Sequence, residues 1–238
     1  MRARRLSILA LTATLALATA LGLVFFYAPV DADQGPVQKI FYIHVPMAIV
    51  ALSGFVVAGA MGIAYLQTGD RRWDVRSYVL IHLSIIFGVG VLLTGSIWAR
   101  ASWGHWWVWD EPTLVSFLIV FLLFCTYQPL RFAIEDGERQ ARYAAVFSIL
   151  AGAFVPLNFI AVRLAQAYTH PRVLGATGGS LPGSMRLTFL VSLGAVTLVF
   201  VTLFRLELTA KREAARLRRL ERSRDDAPVS ARPVAALP

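Results

Sequence analysis

The chain has a single cysteine, Cys125, which excludes an intramolecular disulfide and the C-x-x-C-H motif that attaches haem covalently. It has no G-x-x-x-x-G-K-[ST] phosphate loop, so any ATP-driven step requires a partner. Charge is equally scarce. Only 16% of residues are charged, against about a quarter in soluble domains, while 57% are hydrophobic and the mean hydropathy is +0.63. A soluble globular domain is thereby excluded, and the chain reads as a membrane protein. Acidic residues are outnumbered, 14 to 23, for a net charge of +9. That excess invites a nucleic-acid reading, but nine of the basic residues lie from Arg205 onward, where membrane topology explains them. No nucleic-acid partner is expected.

A length of 238 residues suits one bundle of spanning helices of about 20 apolar residues each. Six spans are read: Leu6 to Tyr27, Ile40 to Gln67, Tyr78 to Trp98, Pro112 to Tyr127, Tyr143 to Val162 and Met185 to Phe204. The first follows three arginines and is longer than the roughly 7–15 apolar residues of a cleavable signal, its rival reading. The fold class is therefore all-α, a six-helix transmembrane bundle over residues 1–206, followed by a basic tail over 207–238 that reads as disordered past Asp225. The tail is expected to anchor topology, with docking on anionic lipid or a cytoplasmic partner as the alternative.

Basic residues are held on the cytoplasmic side of a membrane. The amino terminus, the loops at Gly69 and Pro129, and the tail hold eighteen of the 23. Both termini are therefore placed in the cytoplasm. The segment after span three is placed outside, in the periplasm of a bacterial inner membrane.

That segment organises the rest. Trp98 to Asp110 reads WARASWGHWWVWD and holds five of the six tryptophans. It is too aromatic for a solvated loop and too interrupted for a span, so it belongs at the membrane surface, where an indole finds both apolar and polar surroundings. Five such rings so close together make a flat apolar shelf.

Of the four histidines, His44, His105 and His170 fall at the outer surface and His82 near the inner one. Imidazoles on two opposed segments, above and below an aromatic shelf, suit six-coordinate haem iron, which takes one axial nitrogen on each face. His44 and His170 could supply them. Arg172, Arg100 and Lys39 lie where they could pair with propionates. Zinc is the weaker rival, because it leaves the tryptophans unexplained. Asp110 can cap the helix that enters span four, with Pro112 in its first turn, and capping is compatible with a functional role.

WGHWWVWD at Trp103 to Asp110 resembles the signature of the WWD haem-handling membrane proteins. With six spans, FYIHVPMA around His44 and a histidine in each flanking outward segment, the chain is most similar to the cytochrome c maturation protein C (CcmC) family. The resemblance covers the chain to about Phe204. It implies that His44 and His170 are the axial ligands of a transient, non-covalent haem b, and that Trp103, Gly104, Trp106, Trp107, Trp109 and Asp110 cradle it, with Arg172 beside them. It further implies delivery to a periplasmic haem chaperone, CcmE, and an ABC-type release complex with CcmA, CcmB and CcmD. No conventional enzyme activity is implied. The chain departs from the family pattern at Pro112, where an arginine is usual, and at Ala167 and Tyr168, where tryptophans are usual. A permease subunit exporting haem across the bilayer is the alternative, and would call for polar residues along the spans, such as His82 and Asn158.

Overall fold

The computed structural model describes residues 2–164 and 181–225. Its helices are α1 (Arg2–Phe26), α2 (Phe41–Thr68), α3 (Arg71–Trp103), α4 (Pro112–Cys125), α5 (Tyr127–Phe132), α6 (Gly137–Leu164) and α7 (Gly183–Asp225). Among the described residues the only non-helical pairing is an isolated bridge between Asp31 and Gly35. Six segments are long and apolar enough to cross a membrane, α4 and α5 together making the fourth. The all-α reading with six spans is borne out.

Helix ends follow from local chemistry. Gly69 adopts a left-handed φ of 67° and closes α2, its N–H donating to Tyr65 O. Asp70 then caps α3, accepting from Arg72 N at 2.9 Å, so two residues reverse the chain. Gly104, at φ 80°, closes α3 in the same way; the backbone there suits a residue without Cβ. Asp136 accepts from the N–H groups of Glu138 and Arg139 at 2.9 and 2.8 Å and so starts α6.

Boundaries differ from the sequence reading at three places. Span three was expected to end at Trp98, but α3 continues to Trp103. At about 1.5 Å per residue its 33 residues reach well beyond a bilayer core of about 30 Å. The polar interruptions at Arg100 and Ser102 thus lie on helix, not in a loop. The segment from Pro129 is not wholly a loop, since α5 forms across it and Arg131 is buried. The tail continues α7 without a break to Asp225. The expected disorder beyond Asp225 lies outside the described residues.

α2 is the hub. It pairs with α3 along its length and approaches α6 closely at small residues, where Gly59 faces Gly152 and Gly62 faces Ala145 and Ser148. Small side chains let backbones approach in a medium where hydrophobic force between helices is lost. Phe55 of α2 stacks on Phe124 of α4, with centroids 3.8 Å apart and planes 10° off parallel. α1 lies on α7, burying Ala13, Ala20 and Val24. The alternation of directions gathers Gln34, the start of α2, the end of α3, the start of α4 and the end of α6 at one end of the bundle. His44 and the tryptophan segment are both there.

Candidate functional site: a tryptophan-lined cavity beside His44

At that end α2, α3, α4 and α6 enclose a cavity of about 290 Å³, at the small end of the range for ligand pockets. It is lined by His44, Gln34, Trp98, Trp103, Trp107 and Arg163, together with apolar residues such as Leu52, Leu92, Val120 and Val155.

His44 sits one turn into α2 and is half-buried. Its Nδ1 lies 3.0 Å from Thr94 Oγ1 on α3. Its ring meets Trp98 edge to face, with centroids 5.8 Å apart. Trp98 is fixed in turn, its Nε1 donating to Gln34 Oε1 at 2.7 Å. Gly95 makes room for the imidazole, because a Cβ there would stand 2.8 Å from His44 Cε1.

The five tryptophans divide. Trp98 and Trp103 belong to α3, while Trp106, Trp107 and Trp109 lie on the irregular stretch 104–111. Trp98, Trp103 and Trp107 line the cavity. Trp106 and Trp109 are 60% and 74% exposed, so they extend the aromatic surface outward rather than enclose anything. The ring of Trp109 meets Trp107 edge to face at 6.0 Å. Trp107 Nε1 is buried with no hydrogen-bond partner among the described residues, a departure from the rule that buried donors are satisfied.

The cap of α4 is Glu111 rather than Asp110. Glu111 is fully buried and its Oε1 accepts from Thr113 N at 3.4 Å, while Asp110 is exposed beside it. Asp110 and His105 therefore sit on the open surface of the tryptophan segment. Gly104 supplies the turn that leaves α3. The expected propionate partners Arg100 and Lys39 both reach backbone carbonyls, Arg100 that of Gly104 and Lys39 that of Phe25 at 3.1 Å. Arg163 lines the cavity and lies over the Phe159 ring, 4.7 Å from its centroid. His170 and Arg172 lie outside the described residues. His82 is at the opposite end, stacked on Tyr78 and 3.2 Å from Gln128 Nε2, away from the cavity. Among the described residues no three His, Cys, Asp or Glu side chains gather as a metal site.

Thr94, Gly95, Gln34 and Arg163 were not singled out for these places in the sequence. For Thr94 and Gly95 the only signal was helical spacing, since they stand at i−4 and i−3 from Trp98 on α3; Gln34 and Arg163 carried none.

The CcmC family, described as heme exporter protein C, matches residues 1–224. The chain belongs to the CcmC family. It is 37% identical to the heme exporter protein C of Bradyrhizobium diazoefficiens over 74% of this chain and 67% of that one. It is 29% identical to the heme exporter protein C of Paracoccus denitrificans over 86% of this chain and 88% of that one. A ccmC-like mitochondrial cytochrome c biosynthesis protein of Marchantia polymorpha is 28% identical over 71% of each. Family membership and six apolar helices together make the chain a multi-pass membrane protein, and in this CcmC-family chain the cavity joins the two motifs that carried the sequence resemblance.

Proposed function

We propose that the chain handles haem for cytochrome c maturation, binding it at the periplasmic face of the bacterial inner membrane and delivering it to a CcmE-like periplasmic chaperone. The observation that carries this reading is the juxtaposition of His44 with Trp98, Trp103 and Trp107 around one cavity in a chain of the heme exporter protein C family. Haem b is here a transient, non-covalently held cargo.

The donor set suits that cargo. Indole faces match a flat porphyrin, an imidazole offers a ligand to its iron, the buried Trp107 N–H and the Arg163 guanidinium offer partners to its polar edge. His44 serves one axial position and His170 the other. Asp110 and the exposed Trp106 and Trp109 face the incoming chaperone, and Arg172 is a further partner for the propionates. Both termini lie in the cytoplasm, following the basic residues. CcmA, CcmB and CcmD form the ATP-dependent complex that releases the loaded chaperone, in keeping with the absence of a phosphate loop here.

A permease path through the bundle has less support. The cavity lining is mostly apolar, Asn158 in it donates to Ser116 O at 3.3 Å, and the core beside it holds the stacked Phe55–Phe124 pair.

The test is reconstitution with a purified chaperone. Haem-loaded protein in liposomes is mixed with apo-chaperone, and chaperone-bound haem is followed by its spectrum. Transfer that depends on His44 is expected; a chaperone that acquires haem equally fast without this protein would overturn the reading.

A further inference from the structure

We infer that Thr94, with Gly95 beside it, is the positioning residue that fixes the tautomer and the orientation of the His44 imidazole for metal ligation. The inference rests on the reading of His44 as a haem ligand and adds the group that prepares it.

The hydrogen-bond geometry around Thr94 favours one tautomer. The Thr94 hydroxyl has one hydrogen, and it points back along α3 to Gly90 O at 2.7 Å, with Val91 O further away at 3.3 Å. Its oxygen is left to accept, and His44 Nδ1 lies 3.0 Å from it. We assign the hydrogen of this contact to Nδ1, which puts the lone pair of the neutral ring on Nε2. That arrangement matches metal-binding histidines elsewhere, whose second ring nitrogen donates to an outer partner that sets the ring and raises ligand basicity.

Gly95 completes the device sterically. An added Cβ would stand 2.8 Å from Cε1, 3.4 Å from Nδ1 and 3.7 Å from Nε2, so the ring lies flush against the α3 backbone. Trp98, one turn on, meets the ring edge to face. One face of α3 thus supplies an acceptor for Nδ1, a slot for the ring and an aromatic stop. A threonine serving only α3 would need no histidine against it, because its backbone bond is complete without one.

The test compares full-length wild type with Thr94→Val, Thr94→Ser, Gly95→Ala and His44→Ala, each purified in detergent and titrated with hemin. Readouts are affinity, the oxidised and reduced spectra, and the midpoint potential of bound haem. Val keeps the shape of Thr and removes the acceptor. Thr94→Val is expected to weaken hemin binding about 10- to 100-fold and to raise the midpoint potential, since a less basic imidazole favours ferric iron less. Thr94→Ser is expected to restore both. Unchanged affinity and potential in monodisperse Thr94→Val protein would overturn the inference. Should that variant not purify, Gly95→Ala decides, with displacement of the ring expected to alter the spectrum and an unaltered spectrum contradicting the account. Full hemin binding by His44→Ala would instead overturn the underlying ligand reading, a separate result.

Discussion

Arg131 of α5 and Asp74 of α3 form a buried bidentate ion pair, with Nη1–Oδ1 at 2.6 Å and Nη2–Oδ2 at 2.8 Å. It lies at the end of the bundle opposite the Trp98–Trp109 segment. The guanidinium also donates to Tyr127 Oη at 3.1 Å and lies over the Tyr78 ring, against which Lys211 of α7 rests from 4.3 Å. One charge pair thus ties α3, α5 and α7 together. Removing a single partner strands the other charge, at a cost of about 3–5 kcal/mol. Asp74→Asn is accordingly expected to lower thermal stability in detergent sharply, whereas the joint replacement Asp74→Leu with Arg131→Met should cost much less. Equal losses in both would contradict this account.

The α2–α6 seam yields a second prediction. A Cβ at Gly59 would meet Ser148 O at 2.9 Å, and one at Gly62 would meet Ala145 O at the same distance. Backbone atoms cannot swing aside as a side chain can. Gly59→Ala is expected to destabilise by about 1–3 kcal/mol, read as a lowered midpoint of thermal unfolding. Gly22, with open space around it, is the control, and Gly22→Ala should be neutral or stabilising.

Exposure divides the tryptophans by task. Trp107→Ala is expected to lower haem retention, because it removes a cavity wall and a buried N–H donor. Trp106→Ala and Trp109→Ala, at exposed positions, should keep haem and slow its transfer to a chaperone. Loss of haem in all three alike would argue that the whole segment folds over the cargo.

Two caps at the opposite end titrate. Asp136 is held below the usual carboxylate pKa by the N–H groups of Arg139 and Glu138, and Asp70 by the Arg72 guanidinium and backbone N–H. A folded-state pKa below the unfolded one contributes stability above the unfolded value, about 3.8, and loses it as pH falls through the folded value. Asp136→Asn should therefore narrow its difference from wild type in the acid range. A difference that widened on acidification would contradict the sign.

Much of this was legible in the sequence for physical reasons. Six apolar runs of spanning length, the arginine clusters and the Trp103–Asp110 segment are patterns along the chain, and the bilayer reads such patterns directly. His44 was placed one turn inside α2, where it is found. What escaped depends on three dimensions. The extension of α3 past Trp98 follows from a helix that needs no hydrocarbon to persist. The choice of Glu111 over Asp110 as cap turns on a single backbone register. The approach of Thr94 and Gly95 to His44 depends on the rotational phase of two helices fifty residues apart, and no local spacing encodes that phase.

The most direct test of the central claim is the absorption spectrum, oxidised and reduced, of detergent-purified protein from haem-replete cells beside His44→Ala and His170→Ala. A low-spin bis-histidine haem signal is expected in the wild type and is expected to be lost in both variants. A colourless wild type, or a signal untouched by either substitution, would contradict that claim.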